Sequence, residues 1–177
     1  SGTISNSRNL EFNRSDDFTL SDNLSGTGAL EHSGSGQITL TGTNTYSGGT
    51  TVGNNATLRI GSGSTAGSIS GNIANSGTLI FDRSDTYTYA GEISGSGDVV
   101  KTAGSGDLTF TAVNTYTGNT SILGGTLTLQ NNTAPTNQTT YAGPGILIAR
   151  PEDSAFTSAV DTSNCSSDTT NKLGGLT

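Results

Sequence analysis

Two pairs of adjacent carboxylates, Asp16-Asp17 and Glu152-Asp153, are the residues of this chain best suited to acid–base or cation chemistry. Cleaving a polysaccharide takes clustered carboxylates, often holding calcium, and a basic residue to accept a proton. Beside these pairs stand only Arg14 and Arg150. Asp16 recurs further along as Asp85, but Asp17 is replaced there by Thr86, so the pair is not repeated and reads as a solvated turn. Arg14-Ser15-Asp16 and Arg83-Ser84-Asp85 read as turns closed by a local charge pair. A serine nucleophile needs a base; His32 is the single imidazole, its counterpart in the second copy lies near Lys101, and no Gly-x-Ser-x-Gly elbow occurs. One histidine and one cysteine, Cys165, exclude a clustered Cys/His metal site and an internal disulfide. Gly-Ser-Gly-Asp at 95–98 and 104–107 shares letters with calcium-binding nonapeptides, but the Gly-Gly-x-Gly-x-Asp series does not recur. The expectation is no catalytic residue, no cofactor, no metal and no enzyme.

The scaffold for such residues must be built from unusual material. Ser, Thr, Asn and Gly make up 97 of 177 residues, while Leu, Ile, Val and Phe supply about a fifth. That apolar share is near the level at which chains stay disordered, yet disorder usually brings a high charge density, and only 12% of these residues are charged. The net charge of −7 argues against a nucleic-acid partner. No apolar run is long enough for a transmembrane helix, and Ser1 opens no signal peptide.

Internal repetition resolves the puzzle. Ile4–Asp16 reads against Ile73–Asp85 at an offset of 69, Asn44–Thr50 against Asn114–Thr120 at 70, and Thr57-Leu58 against Thr126-Leu127 at 69 again. Two copies, 2–60 and 71–129, fill a domain spanning 1–130. Inside each copy apolar clusters recur about every ten residues, most with period-two alternation, as in Ile38/Leu40, Leu58/Ile60, Leu79/Phe81 and Leu108/Phe110. Ser-Gly and Asn-Ser-Gly turn signals separate them, and no helical stripe is visible. The fold class is all-β. A right-handed parallel β-helix, with two strand clusters in each coil of about 20 residues, buries a thin core column with few apolar residues; a β-sandwich is the alternative. In such a column the two copies would lie in line, their identical positions stacked as ladders.

Phe-Asx-Arg-Ser-Asp, Ser-Gly-x-Gly, Gly-Ser-Gly-x-[Leu/Ile]-Thr-[Leu/Phe]-Thr, Asn-Thr-Tyr-x-Gly-x-Thr and Thr-Leu-x-[Ile/Leu] occur in that order, twice. This string resembles the passenger-associated repeat of Gram-negative autotransporters. The resemblance implies a secreted or cell-surface β-solenoid serving adhesion or as a surface scaffold, with a host or glycan surface as its partner. It ends near residue 130. In the recurring motif, Asn44 and Asn114 are expected at left-handed turn positions, bonding side chain to side chain between coils. Gly48 and Gly118 would supply backbone freedom, and Tyr46 and Tyr116 would close an apolar column with their hydroxyls in water.

Composition shifts after Gln130: Pro135, Pro144, Pro151 and Cys165 all lie beyond it. Residues 131–177 read as a cap, a tail or an inter-subunit strand, with Ile146, Leu147 and Ile148 as the candidate strand. Laid on this chain's own end it would be a cap. Added to a second copy it would join molecules end to end into an extracellular filament. That self-assembling subunit is the second functional reading, and a polysaccharide-active β-helix enzyme the remote third.

Overall fold

The computed structural model describes residues 2–102 and 106–130 in full, together with the backbone of two further strands, Thr139–Tyr141 and Ile146–Ala149. Glu152-Asp153 and Cys165 lie outside the described residues. Every regular element described is a strand, and every pairing is parallel. This sets the β-sandwich aside, because a sandwich is built from antiparallel neighbours.

The register gives the coil directly. Phe18 pairs with Ile38, Ile38 with Leu58, Leu58 with Leu79, Leu79 with Val99 and Val99 with Thr120, each step 20 or 21 residues. The result is a β-solenoid of about six turns. One side is a seven-stranded sheet of Phe18–Leu20, Gln37–Leu40, Thr57–Ser64, Thr78–Arg83, Asp98–Lys101, Thr120–Ile122 and Thr139–Tyr141. A second is the five-stranded sheet of Asn9–Phe12, Ala29–His32, Thr50–Val52, Ile73–Asn75 and Ile93–Ser94. The remaining strands form a two-stranded sheet, Thr3–Ser5 with Asn23–Ser25, and later a four-stranded one, Tyr87–Tyr89, Leu108–Phe110, Thr126–Leu129 and Ile146–Ala149. In the last of these, Thr126, Leu127 and Thr128 pair with Ile146, Leu147 and Ile148.

Period-two alternation sends one side chain of each pair inward. Ile38, Leu58, Leu79 and Val99 succeed one another down the seven-stranded sheet, all at most 1% exposed. Phe81, Tyr89 and Phe110 pack against one another in the column, with ring centroids 5.4 to 6.1 Å apart in tilted and edge-on geometry. Parallel stacking satisfies the backbone along the axis, so a narrow core is enough to hold a chain this poor in apolar residues.

The ladders are made by successive coils, not by the two copies. Three coils carry the chain from Phe18 to Leu79, 61 positions, whereas the sequence counterpart of Phe18 is Tyr87, eight positions further on. Those eight residues add one strand and its turn. Each copy therefore starts one side further round the solenoid. Asn9–Phe12, Ala29–His32 and Thr50–Val52 lie in the five-stranded sheet, but their counterparts Thr78–Arg83, Asp98–Lys101 and Thr120–Ile122 lie in the seven-stranded one. The expected stacking of identical positions fails because 69 is not a whole number of coils.

Candidate functional site

The recurring Asn-Thr-Tyr-x-Gly motif forms an internal brace. Asn44 and Asn114 are 1% and 4% exposed, and neither has the left-handed backbone expected, since Asn55 is the one non-glycine residue with positive φ among those described. Their amides bond backbone instead of each other. Asn44 Oδ1 accepts from Leu24 N at 3.0 Å, and Asn114 Oδ1 accepts from Ile93 N at 2.8 Å. Asn44 Nδ2 donates to Gly42 O and Ser68 O. The two asparagines sit on different sides of the solenoid and cannot meet; each ties its own coil to the one before, and Asn44 also to the one after.

Tyr46 and Tyr116 are equally internal, at 0% and 2% exposure, not placed with their hydroxyls in water. Each hydroxyl shares a hydrogen bond with a threonine four residues on: Tyr46 with Thr50 at 2.6 Å, Tyr116 with Thr120 at 2.7 Å. Burial raises both phenols above their ordinary pKa, Tyr116 to about 12, because the ionised form would have to lose water. Gly48 and Gly118 do not use glycine's freedom at positive φ. A Cβ on Gly48 would strike the backbone of Gly28 and Ala29, and one on Gly118 that of Gly97 and Asp98, so the motif needs glycine for close passage of neighbouring coils.

The residues screened for chemistry are engaged in structure. Asp16 meets Arg14 at 2.5 Å, and that guanidinium holds the carboxyl below the usual range. Asp17 Oδ1 accepts from Gln37 N at 2.9 Å. His32 is fully buried, its Nδ1 3.1 Å from Phe12 O and its Nε2 2.8 Å from Gly36 O. Its counterpart Lys101 is also buried and donates from Nζ to Gly124 O at 2.7 Å; burial pulls its pKa down. Arg59 and Thr102 both bond Asp82; burial alone would raise that carboxyl, but these bonds outweigh it and lower it. Among the described residues no three His, Cys, Asp or Glu converge as a metal site would require.

The feature that sequence reading missed lies where the two copies join. Thr43 bridges to Ser68, 25 positions on, instead of the usual 20 or 21. The surplus follows Ile60: the strand runs on irregularly to Ser64, which pairs with Arg83, and the chain rejoins the coil at Ser68, where Ser68 N donates to Gly42 O and Asn44 N donates to Ser68 O. Gly61, Gly63 and Gly67 all have positive φ, and at Gly67 a Cβ would also come within 2.5 Å of Leu40 O. Arg83 clasps the loop. Its Nη2 donates to Thr65 O at 2.6 Å and its Nη1 to Gly67 O, while Asp85 accepts from Nε and Nη2 at 2.9 and 2.7 Å. Between loop and coil runs a groove of about 420 Å³, lined by Ser21, Asn23, Thr43, Thr65, Ser68 and Arg83 with neighbouring small residues. The glycine-rich run Gly61-Ser62-Gly63-Ser64-Thr65-Ala66-Gly67 was the available signal, but it looks like any other turn in this chain.

Comparison with known proteins bears on the repeats. The family model for the passenger-associated-transport repeat matches residues 30–60 and 102–129. A stretch of 53 residues is 55% identical to an adhesin, the BmaC autotransporter of Brucella suis biovar 1 (strain 1330); it makes up 30% of this chain and 2% of that protein. No solved structure matches significantly. Both matched segments run through the Asn-Thr-Tyr-x-Gly brace and the strands flanking it. Residues 30–60 and 102–129 therefore match the passenger-associated-transport repeat twice, within a single parallel β-solenoid.

Proposed function

We propose that this chain is an adhesive surface module, presented outside a Gram-negative cell as part of an autotransporter passenger. The observation that carries the reading is the pair of passenger-associated-transport repeats wound into one solenoid, together with a matching stretch in a Brucella adhesin. The physical role fits. Recurring side chains face inward as braces, leaving the outer surface to hydroxyls, amides and scattered charges. Such a surface is free to vary without cost to the fold, as a contact surface must. In this reading residues 1–130 are the repeat module, and Ile146–Ala149, with its backbone laid along Thr126–Leu129, caps it. The module acts by binding and needs no chemistry.

The test is gain of attachment. The 177-residue chain is displayed on a non-adherent Gram-negative host through an unrelated translocator, and cells are counted on host-cell and matrix-coated surfaces. Attachment well above that of the translocator alone is expected. Attachment equal to it on every surface overturns the reading.

A further inference from the structure

We propose that the groove between the inter-repeat loop and the coil is a binding site for a neutral oligosaccharide. The proposal rests on the adhesive reading and names the class of ligand behind it.

Four features point to this chemistry. The groove is preformed: Arg83 holds Thr65 O and Gly67 O, so the loop does not have to be ordered when a ligand arrives. Its size, about 420 Å³, falls within the range of roughly 300–1,000 Å³ used for small ligands. Apart from Arg83 and the Thr41 hydroxyl, which donates to Leu20 O, the polar side chains of its wall have groups without internal partners. Among the described residues, the hydroxyls of Ser21, Thr43, Thr65 and Ser68 and the Asn23 amide nitrogen donate to no protein atom, the Asn23 oxygen being taken by Thr43 N. Gly42, Ala66 and Gly67 lie between them, so a sugar ring can come close to the backbone.

The same features exclude other ligands. An apolar ligand would meet no large apolar side chain there. An anion would meet a guanidinium already paired with Asp85, on a chain of net charge −7. An extended peptide adds to a sheet through unpaired backbone groups. Here Thr41 N, Thr43 N, Asn44 N and Ser68 N are all engaged, by Leu20 O, Asn23 Oδ1, Ser68 O and Gly42 O. What remains is a polyhydroxylated, uncharged ligand bound side chain to hydroxyl.

Thr43 offers a clean probe because its counterpart in the second copy is Val113, 52% exposed. The Thr43→Val variant therefore keeps a shape that this solenoid already tolerates. The experiment titrates the full ¹⁵N-labelled chain with neutral tetrasaccharides of glucose, mannose, galactose and N-acetylglucosamine, and separately with tetragalacturonate and a Ser/Thr-rich pentapeptide. At least one neutral sugar is expected to shift the amides of residues 41–43 and 65–68. Thr43→Val should weaken that sugar about fivefold, the loss of one hydrogen bond. Ser21→Trp, which fills the groove from an exposed position, should abolish the shifts while the remaining spectrum stays folded. No shift with any neutral sugar, shifts confined to other residues, or a response to tetragalacturonate or the peptide alone overturns the proposal. The surface-display assay with Ser21→Trp keeps the two readings apart: attachment that survives the filled groove leaves the adhesive module standing and removes this site.

Discussion

Arg14, Asp16 and Phe18 in the first copy match Arg83, Asp85 and Tyr87 in the second, letter for letter except the ring. Both sets build the same turn. Arg14 pairs with Asp16 and lies 5.1 Å from the centre of the Phe18 ring; Arg83 pairs with Asp85 and lies 4.7 Å from that of Tyr87. Their surroundings differ. The first pair is 46% and 65% exposed, while in the second Arg83 is only 11% exposed and clasps the inter-repeat loop. The Tyr87 hydroxyl adds two bonds to Ile69 that a phenylalanine cannot make, accepting from N at 3.1 Å and donating to O at 3.0 Å. A repeat unit thus encodes its own turns, but the phase of the coil decides what those turns touch. Because 69 residues overshoot three coils by eight, identical letters meet different neighbours.

If that division holds, residues whose partners lie within the unit should behave alike in both copies. Tyr46 and Tyr116 are the strongest case, since each bonds a threonine four residues on. Truncating either to alanine empties a ring-sized space in the column and should cost about 3–5 kcal/mol, by denaturant unfolding at pH 7. Costs that agree within about 1 kcal/mol support unit-encoded braces; a much smaller cost at Tyr116 would mean that the second copy packs by other means.

The same tyrosines predict an alkaline limit. Their folded-state pKa values lie above the ordinary 10, so the folded chain keeps protons that the unfolded chain releases. Their contribution is complete below pH 10 and is lost as pH rises toward the folded values. For Tyr116, about 12 in the folded state, the loss amounts to about 2–3 kcal/mol by pH 12. Unfolding midpoints measured from pH 9 to 12 should fall, and Tyr116→Phe and Tyr46→Phe should each flatten the fall. An unchanged slope in both would show that these hydroxyls do not control it.

Much of this architecture was legible in the letters. Alternation at Leu58/Ile60 and Leu79/Phe81 announced strands, the ten-residue beat announced coils of about 20, and the doubled Asn-Thr-Tyr-x-Gly string announced the repeat. Two facts were not legible. The rotation between copies needs the coil length to within a residue, and apolar clusters locate strands only to within several. The inward aim of Tyr46 and the backbone-directed amide of Asn44 follow from which neighbour stands one coil away, which a linear reading fixes only once the register is known. The groove escaped for a related reason: five surplus residues are invisible until 20 is known to be the norm.

The smallest expected effects separate the copies most sharply, and they concern the two arginines. Arg14→Ala removes an exposed pair and one ring contact, and surface pairs of this kind contribute little; its unfolding midpoint should match that of the parent chain. Arg83→Ala leaves the carbonyls of Thr65 and Gly67 without their donor, leaves Asp85 without its partner, and lets the loop move away from the coil. Charge-assisted bonds of this type are worth about 1.5–3 kcal/mol, and the partial exposure of the site argues for the lower end. Arg83→Lys should rescue little, because one ammonium cannot span two carbonyls and a carboxylate held in a planar fork. Amide exchange gives the more local readout. Protection at residues 65–68 should collapse in Arg83→Ala while protection in the seven-stranded sheet, which runs through Ser64, stays, and neither should change in Arg14→Ala. Equal effects at the two arginines would mean that the turn itself, present in both copies, is what stabilises, and that the inter-repeat loop holds its shape through its glycines alone.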